Sequence, residues 1–408
     1  MHSQPLSIGF VTVADLPEGC GRTGRLRTLV GALAGLGHRV TIWNEHGLES
    51  SPGQQVSGDL CGAYYEYVLG TTQREWGFRA TFLKLRVVRN ILGRVRGAAG
   101  AGQLDVVFFN HLAFYDTYPI TRLAQRLGIP TVQCYEDERR EVVGRDVKFA
   151  KRIFGWNSWA ADRWCPRMAD EIWVISSFLK EKYSRLSGRP ESVRIVPTII
   201  DCQAWNLPPE PDRRCPVILY SGSFGEQDDT ERLVRALGLL KRQGVEFQMR
   251  FLGAKPGHTQ VERLKSLAKE LGIERAIELK EFCPAAVVKK EIADANLLVN
   301  LRANSLWGQS GLSTKLSEYL AASRAVLTTD IGDNARYVEH GRSALVVRAD
   351  DPADKIAAVL KEALERPEWR RQLGAGGRQA ALKHFDVPVV QQTMAEGLRK
   401  LCPPEGRQ

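Results

Sequence analysis

The chain has 408 residues, more than one ordinary hydrophobic core accommodates, and its 43% hydrophobic and 25% charged residues give a globular balance with material for two domains. A formal charge of +10 suits anionic partners (phosphates, acidic lipid surfaces or nucleic acid) without choosing among them. The eight cysteines are scattered, with no CxxC pair and no His/Cys cluster, which argues against structural zinc and against a disulfide framework.

In chain order, the first segment, MHSQPLSIGFVTV, lacks a charged n-region and a cleavage site. No apolar run approaches the length of a membrane-spanning helix, so a cytoplasmic chain is predicted. Short apolar runs read as strands at Leu6–Val13, His38–Trp43, Asp105–Asn110, Pro130–Tyr135, Glu171–Ser176 and Val193–Pro197. Helical patterns such as RLRTLVGALAGLG and TRLAQRLG lie between them. Strands joined in this way predict a parallel sheet covered on both faces. The stretch from Asp201 to Pro216 holds four prolines and no apolar period, and reads as a linker. A second α/β series follows, with strands expected at Val217–Gly222, Phe247–Gly253, Ala276–Lys280, Ala295–Leu301, Ala325–Thr329 and Ala344–Arg348. The fold class predicted is α/β, with two Rossmann-like domains facing a central cleft.

Two motifs could hold a phosphate. Gly19, Gly21 and Gly24 satisfy GxGxxG, and Glu45 follows the second strand, which outlines a dinucleotide fingerprint. Five residues, Ala14 to Glu18, separate the strand from the first glycine, whereas a nicotinamide site needs the glycines at the sheet edge. The remaining readings are a turn before a helix, or a glycine loop that lets the backbone approach a substrate. The second motif is SGLSTKLSEYL, Ser310 to Leu320. Ser313 or Thr314 caps a helix here, yet Lys315 lies in its first turn, the end least favourable to a cation. Lys315 and Glu318 share one face. A surface ion pair between them, in the poorer order, would contribute only a few tenths of a kcal/mol. A diphosphate docked on the amides near Ser313 and Thr314 accounts for the lysine better, with Glu318 placed to accept from a vicinal diol.

The run SGLSTKLSEYLAASRAVLTTDIGDNARYVEHGRSALVVRADDP resembles the C-terminal signature of the retaining glycosyltransferases of family 4, which have the GT-B fold. Glu318, Gly332, Tyr337, Val338 and Gly341 fit that pattern. LGHRVTIW with Gly21 and Gly24, ADEIWVISSFLKEKY with RIVPTIID, FLGAKPG with Gly253, and the terminal HFDVPVVQQTMAEGL resemble further family segments in order. The resemblance implies an acceptor-side domain over residues 1–202, a linker at 203–216, a nucleotide-sugar domain over 217–385, and a last segment, 386–408, that crosses back to the first domain. It also implies donor contacts from Gly21, Gly24, Ser223, Gly253, Arg302, Ser310, Gly311, Ser313, Thr314, Lys315, Leu316 and Glu318. Glu136, Asp137 and Lys315 are the catalytic candidates, with His111 on the acceptor side. The sequence departs from the family where Ser310 replaces a glutamate and where Ser223 and Gln227 stand in place of an arginine and lysine.

The implied function is metal-independent retaining transfer of a hexosyl or related group from a nucleotide-diphosphate sugar to a saccharide or lipid-linked saccharide, in surface polysaccharide or glycoconjugate synthesis. No cofactor besides the donor is expected. A catalytically weak GT-B-like binding scaffold and an NAD(P)-dependent oxidoreductase are the alternatives. The segments Arg74–Gly97 and Lys148–Trp164 combine basic and aromatic residues. They suit peripheral contact with an anionic membrane at its inner face, or are helices with solvated basic faces. With no recognised nucleic-acid module beside them, nucleic acid is not an expected partner.

Overall fold

The computed structural model describes residues 4–19, 21–45, 54–72, 78–110, 113–138, 149–225 and 227–403. His111 lies outside the described residues. The chain divides into two compact units, Met1–Ile199 with Val390–Gln408, and Ile200–Val389.

The first unit is built on eight strands: β1 (Ser7–Thr12), β2 (Arg39–Asn44), β3 (Ser57–Leu60), β4 (Ala63–Tyr67), β5 (Val106–Phe109), β6 (Thr131–Tyr135), β7 (Glu171–Val174) and β8 (Val193–Ile195). Their order is β3-β4-β2-β1-β5-β6-β7-β8, parallel except for the β3–β4 hairpin. Strands β5, β6 and β7 are buried along their whole length, as continuous apolar runs require when helices cover both faces. Phe108 anchors the middle of the sheet, stacked on Phe10 at 5.6 Å and edge-on to Trp173 at 4.9 Å. The hairpin was not expected from sequence. Its turn uses Cys61 and Gly62 at φ 55° and 84°, the conformation that Asn-Gly normally signals. The final helix, Val387–Leu401, packs on this unit: Gln391 Nε2 donates to the Ala32 carbonyl at 2.9 Å, and Glu396 lies 3.6 Å from Arg194.

The second unit holds β9 (Val217–Ser221), β10 (Gln248–Leu252), β11 (Ile277–Lys280), β12 (Leu297–Asn300), β13 (Ala325–Thr329) and β14 (Leu345–Val347). The order is β11-β10-β9-β12-β13-β14, all parallel. The amphipathic helices Thr230–Arg242 and Ala353–Glu365 bury Leu237, Leu240, Ile356 and Leu360 against Met249, Leu297 and Leu327. The proline-rich stretch has no regular structure, yet it is tied down within this unit. Glu210 pairs with Arg370 at 2.6 Å, with side chains 3% and 4% exposed, and Arg324 donates to the Pro208 carbonyl at 2.8 Å. Each sheet winds outward in both directions from its first strand. The topological switch points therefore fall between β1 and β5 and between β9 and β12, where open α/β sheets hold ligands at their carboxyl ends.

Candidate functional site

In the second unit, the helix Thr314–Ala321 is bolted to both strands of the switch point. The Tyr319 hydroxyl accepts from the Ser221 amide at the end of β9 (3.0 Å), and the Ser313 hydroxyl donates to Asn300 Oδ1 at the end of β12 (3.0 Å). Leu316 and Leu320 fill the core beneath. Ser313 is the N-cap residue, as the sequence suggested, but its hydroxyl is spent on Asn300 and makes no capping bond. The amides of Ser313, Thr314 and Lys315 have no acceptor among the described residues. Three unbonded donors at the positive end of a helix form an anion cradle.

Lys315 does not pair with Glu318. Its ammonium lies 2.7 Å from Asp228 Oδ1 and 4.5 Å from the centre of the Tyr220 ring. The Tyr220 hydroxyl donates to the other Asp228 oxygen at 2.9 Å. The Asp228 side chain is 3% exposed and that of Lys315 18%, so the pair is fixed with one side of the ammonium still open. Glycines make room for it. A Cβ on Gly222 would sit 2.8 Å from Lys315 Nζ, and one on Gly253 (φ 92°) would run into the Gly222 carbonyl. Glu318 is partly buried, and its carboxyl has no hydrogen-bond partner among the described residues; burial pushes that carboxyl up to about 7, opposed by the Lys315 charge.

In the first unit, polar groups gather at the corresponding edge. Asn110 donates to Glu136 Oε1 at 3.1 Å, and Arg25 Nε lies 3.6 Å from the same oxygen. Arg25 is itself held by the Val196 and Pro197 carbonyls. Burial raises Glu136 to about 7, with Arg25 pulling the other way and Asp137 adding to the rise. Asp137 is exposed. Sequence reasoning missed a second cluster here. Glu45, after β2, and Asp116, after β5, are both 1% exposed, and the Tyr115 hydroxyl donates to Glu45 at 3.3 Å. Burial raises both carboxyls, and the proximity of Asp116 raises Glu45 further. Glu45 and Tyr115 lie seventy positions apart with no shared period, which leaves no local signal.

Several expected donor residues stand differently. Gly21 and Gly24 lie inside the helix Gly21–Gly35 and form no loop; the space where each side chain would be is open. The helix begins at Gly21, so the five residues Ala14 to Glu18 still separate the first strand from the glycines, a spacing a nicotinamide site does not have. The Leu316 side chain is in the core and its amide bonds the Ser313 carbonyl (3.1 Å), so it has nothing left for a donor. Ser310 is fully buried, and Gly311 is buried beside it. Arg302 is 7% exposed and gives Nη2 to the Trp307 carbonyl at 2.8 Å, which commits it to the short helix Leu306–Ser310. Ser223 is exposed beyond the end of β9, and Thr314 is partly exposed at the cradle.

A doubly wound sheet with an anion cradle at its switch point, in a chain carrying a second such unit, defines the GT-B class of two-domain α/β proteins. Residues 208–380 match the glycosyl transferases group 1 family, and residues 21–198 match the glycosyl transferase 4-like domain. The chain belongs to the group 1 glycosyltransferases, with a family 4-like N-terminal part. It is 24% identical to the alpha-maltose-1-phosphate synthase of Mycolicibacterium smegmatis over 267 residues, 60% of this chain and 66% of that one. Its matches span from about a third to two thirds of the length of such curated relatives. In structure it is similar to sucrose-phosphate synthase from Thermosynechococcus elongatus (TM-score 0.73, 17% identity, 97% and 99% of the two chains). Anabaena Alr3699/HepE, solved with UDP, is also similar (0.69, 14%, 97% and 100%), as is WaaG, a glycosyltransferase involved in lipopolysaccharide biosynthesis (0.64, 16%, 97% and 100%). At these identities the likeness establishes the fold.

Proposed function

We propose that this protein is a retaining glycosyltransferase that moves a hexosyl or related group from a nucleotide-diphosphate sugar to a saccharide or lipid-linked saccharide. The setting we infer is assembly of a surface polysaccharide or glycoconjugate. The observation that carries this reading is the uncapped first turn of the helix Thr314–Ala321, whose three open amides and adjacent ammonium suit a diphosphate. As the bond from the anomeric carbon to the phosphate oxygen breaks, these donors take up the charge developing on the leaving group. The acceptor hydroxyl attacks on the same face, and its proton passes to the departing phosphate oxygen. Transfer of that kind needs no nucleophile from the protein, and the amides and lysine meet the charge without a metal. Glu136 and Asp137 serve the acceptor or the sugar; Glu136, protonated below about pH 7, can donate a hydrogen bond.

Calorimetry with UDP-, GDP- and ADP-sugars, followed by nucleotide release with saccharide acceptors, tests the proposal. Binding of at least one donor with acceptor-dependent release is the expected result, and no binding to any nucleotide diphosphate would sink it. Binding without release would favour a catalytically weak scaffold, a reading supported by buried Ser310 and by the Asp228 carboxylate beside Lys315.

Glu318 gives a finer test. Only its ionised form can accept both hydrogens of a ribose diol, and its carboxyl titrates near 7. Nucleotide affinity should therefore fall as pH drops below that value, by roughly tenfold per unit. In Glu318→Gln the slope should flatten, and in Glu318→Ala the loss should be roughly tenfold for ribonucleotides and small for 2′,3′-dideoxy analogues. A slope unchanged in Glu318→Gln would assign the titration to another group.

A further inference from the structure

Three helices cover one side of the first sheet: Phe78–Gly100, Phe114–Arg126 and Phe149–Met168. The middle one touches both neighbours. Lys84 Nζ lies 5.2 Å from the centre of the Tyr115 ring, and the Tyr115 amide donates to Asn157 at 3.0 Å. On the second and third helices a cluster of rings is left in solvent. Trp156 is 56% exposed, Trp159 41%, Trp164 38% and Tyr118 39%. Phe114 holds them together, 4.9 Å from Tyr118, 6.0 Å from Trp156 and 5.6 Å from Trp164, while Trp159 meets Trp164 edge-on at 5.3 Å. The proposed donor cradle does not include these rings, and keeping several large aromatics wet beside one another is unfavourable unless something covers them.

The charges around the cluster say what does. The three helices carry twelve lysines and arginines against two acids, Asp116 and Asp162. Both acids are used internally: Asp116 is 1% exposed, and Asp162 takes a hydrogen bond from Lys182 at 2.6 Å and one from Tyr183 at 2.7 Å. The exposed arginines Arg86, Arg89, Arg122, Arg126, Arg163 and Arg167 are thus left without a counter-charge of similar exposure on their own helices. Exposed indoles among cations match the boundary of an anionic bilayer, where rings settle at headgroup depth and arginines meet lipid phosphates. A second copy presenting the same face would set arginine against arginine. No helix among the described residues is long and apolar enough to cross a membrane, so contact through this face would be peripheral.

We propose that this aromatic and basic face, centred on Trp156, Trp159 and Trp164, docks the protein on anionic lipid. The test is flotation of the full chain with phosphatidylcholine vesicles, with and without about a third phosphatidylglycerol, at low and at half-molar salt. Expected is partition onto the phosphatidylglycerol vesicles, reduced by salt, with quenching of tryptophan fluorescence by brominated phosphatidylglycerol. Two variants separate the contributions: Trp156→Gln with Trp159→Gln, and Arg122→Glu with Arg163→Glu. Each should lower partition by roughly tenfold or more at unchanged melting temperature, since the replaced side chains are exposed. Absence of flotation at low salt, partition that the tryptophan pair does not alter, or tighter binding to single-stranded DNA than to the vesicles would each overturn the proposal. The measurement uses no nucleotide, so its outcome is independent of the transferase reading.

Discussion

Lys315→Ala is expected to abolish most nucleotide-diphosphate binding and also to cost the second unit about 3 kcal/mol of stability. The second effect follows from Asp228. Its carboxylate is 3% exposed and receives the Lys315 ammonium on one oxygen and the Tyr220 hydroxyl on the other, at 2.7 and 2.9 Å. Removing the lysine leaves a buried negative charge with one neutral donor. Adding Asp228→Asn to Lys315→Ala removes that charge and keeps an oxygen for Tyr220, so roughly 2 kcal/mol should return in urea unfolding. Binding should not return with it, because the amides would lack their cation; a loss of between about tenfold and a hundredfold is expected in both backgrounds. Asp228→Asn alone is the most telling variant. It leaves the lysine charge unopposed and should tighten diphosphate binding several-fold. A double variant that is both stable and fully able to bind would reduce Lys315 to a structural lysine.

That pairing marks how far the sequence could be read. The strands were legible because a run such as Val106–Phe109 can be accommodated only in a sheet covered on both faces. The start of the site helix was legible because Ser313 and Thr314 are residues that favour a helix entry. The β3–β4 hairpin was not, since Ser-Gly-Asp-Leu is a poor strand former and Cys61-Gly62 is a rare turn pair. The partner of Lys315 was hidden for a different reason. Asp228 lies 87 residues earlier in a loop without periodicity, and topology alone brings it to the switch point. The buried acids Glu45 and Asp116 were hidden in the same way. Leu316 and Ser310 differ from the expectation in the opposite way, since both side chains are buried. They neighbour the motif in sequence, but helical geometry turns them inward.

Gly253→Ala should have the largest effect on the fold, about 4 kcal/mol, with loss of nucleotide binding. Two costs combine there. Gly253 has φ 92°, a backbone conformation that costs an L side chain about 1–3 kcal/mol. Its missing Cβ also leaves the space into which the Gly222 carbonyl projects, so a methyl group must push the β9 and β10 loops apart. The displacement reaches the cradle directly, because Gly222 abuts Tyr220 and Lys315, and a shift there dislodges the ammonium from Asp228. Gly257→Ala is the control. It lies in the same loop at φ 73° with nothing within 4 Å of its added methyl, so it should cost only about 1 kcal/mol and leave binding intact. The difference between the two variants isolates the close approach of the loops from backbone strain. If Gly253→Ala proved no more damaging than Gly257→Ala, the contact between the loops would not be what holds the lysine over the helix terminus.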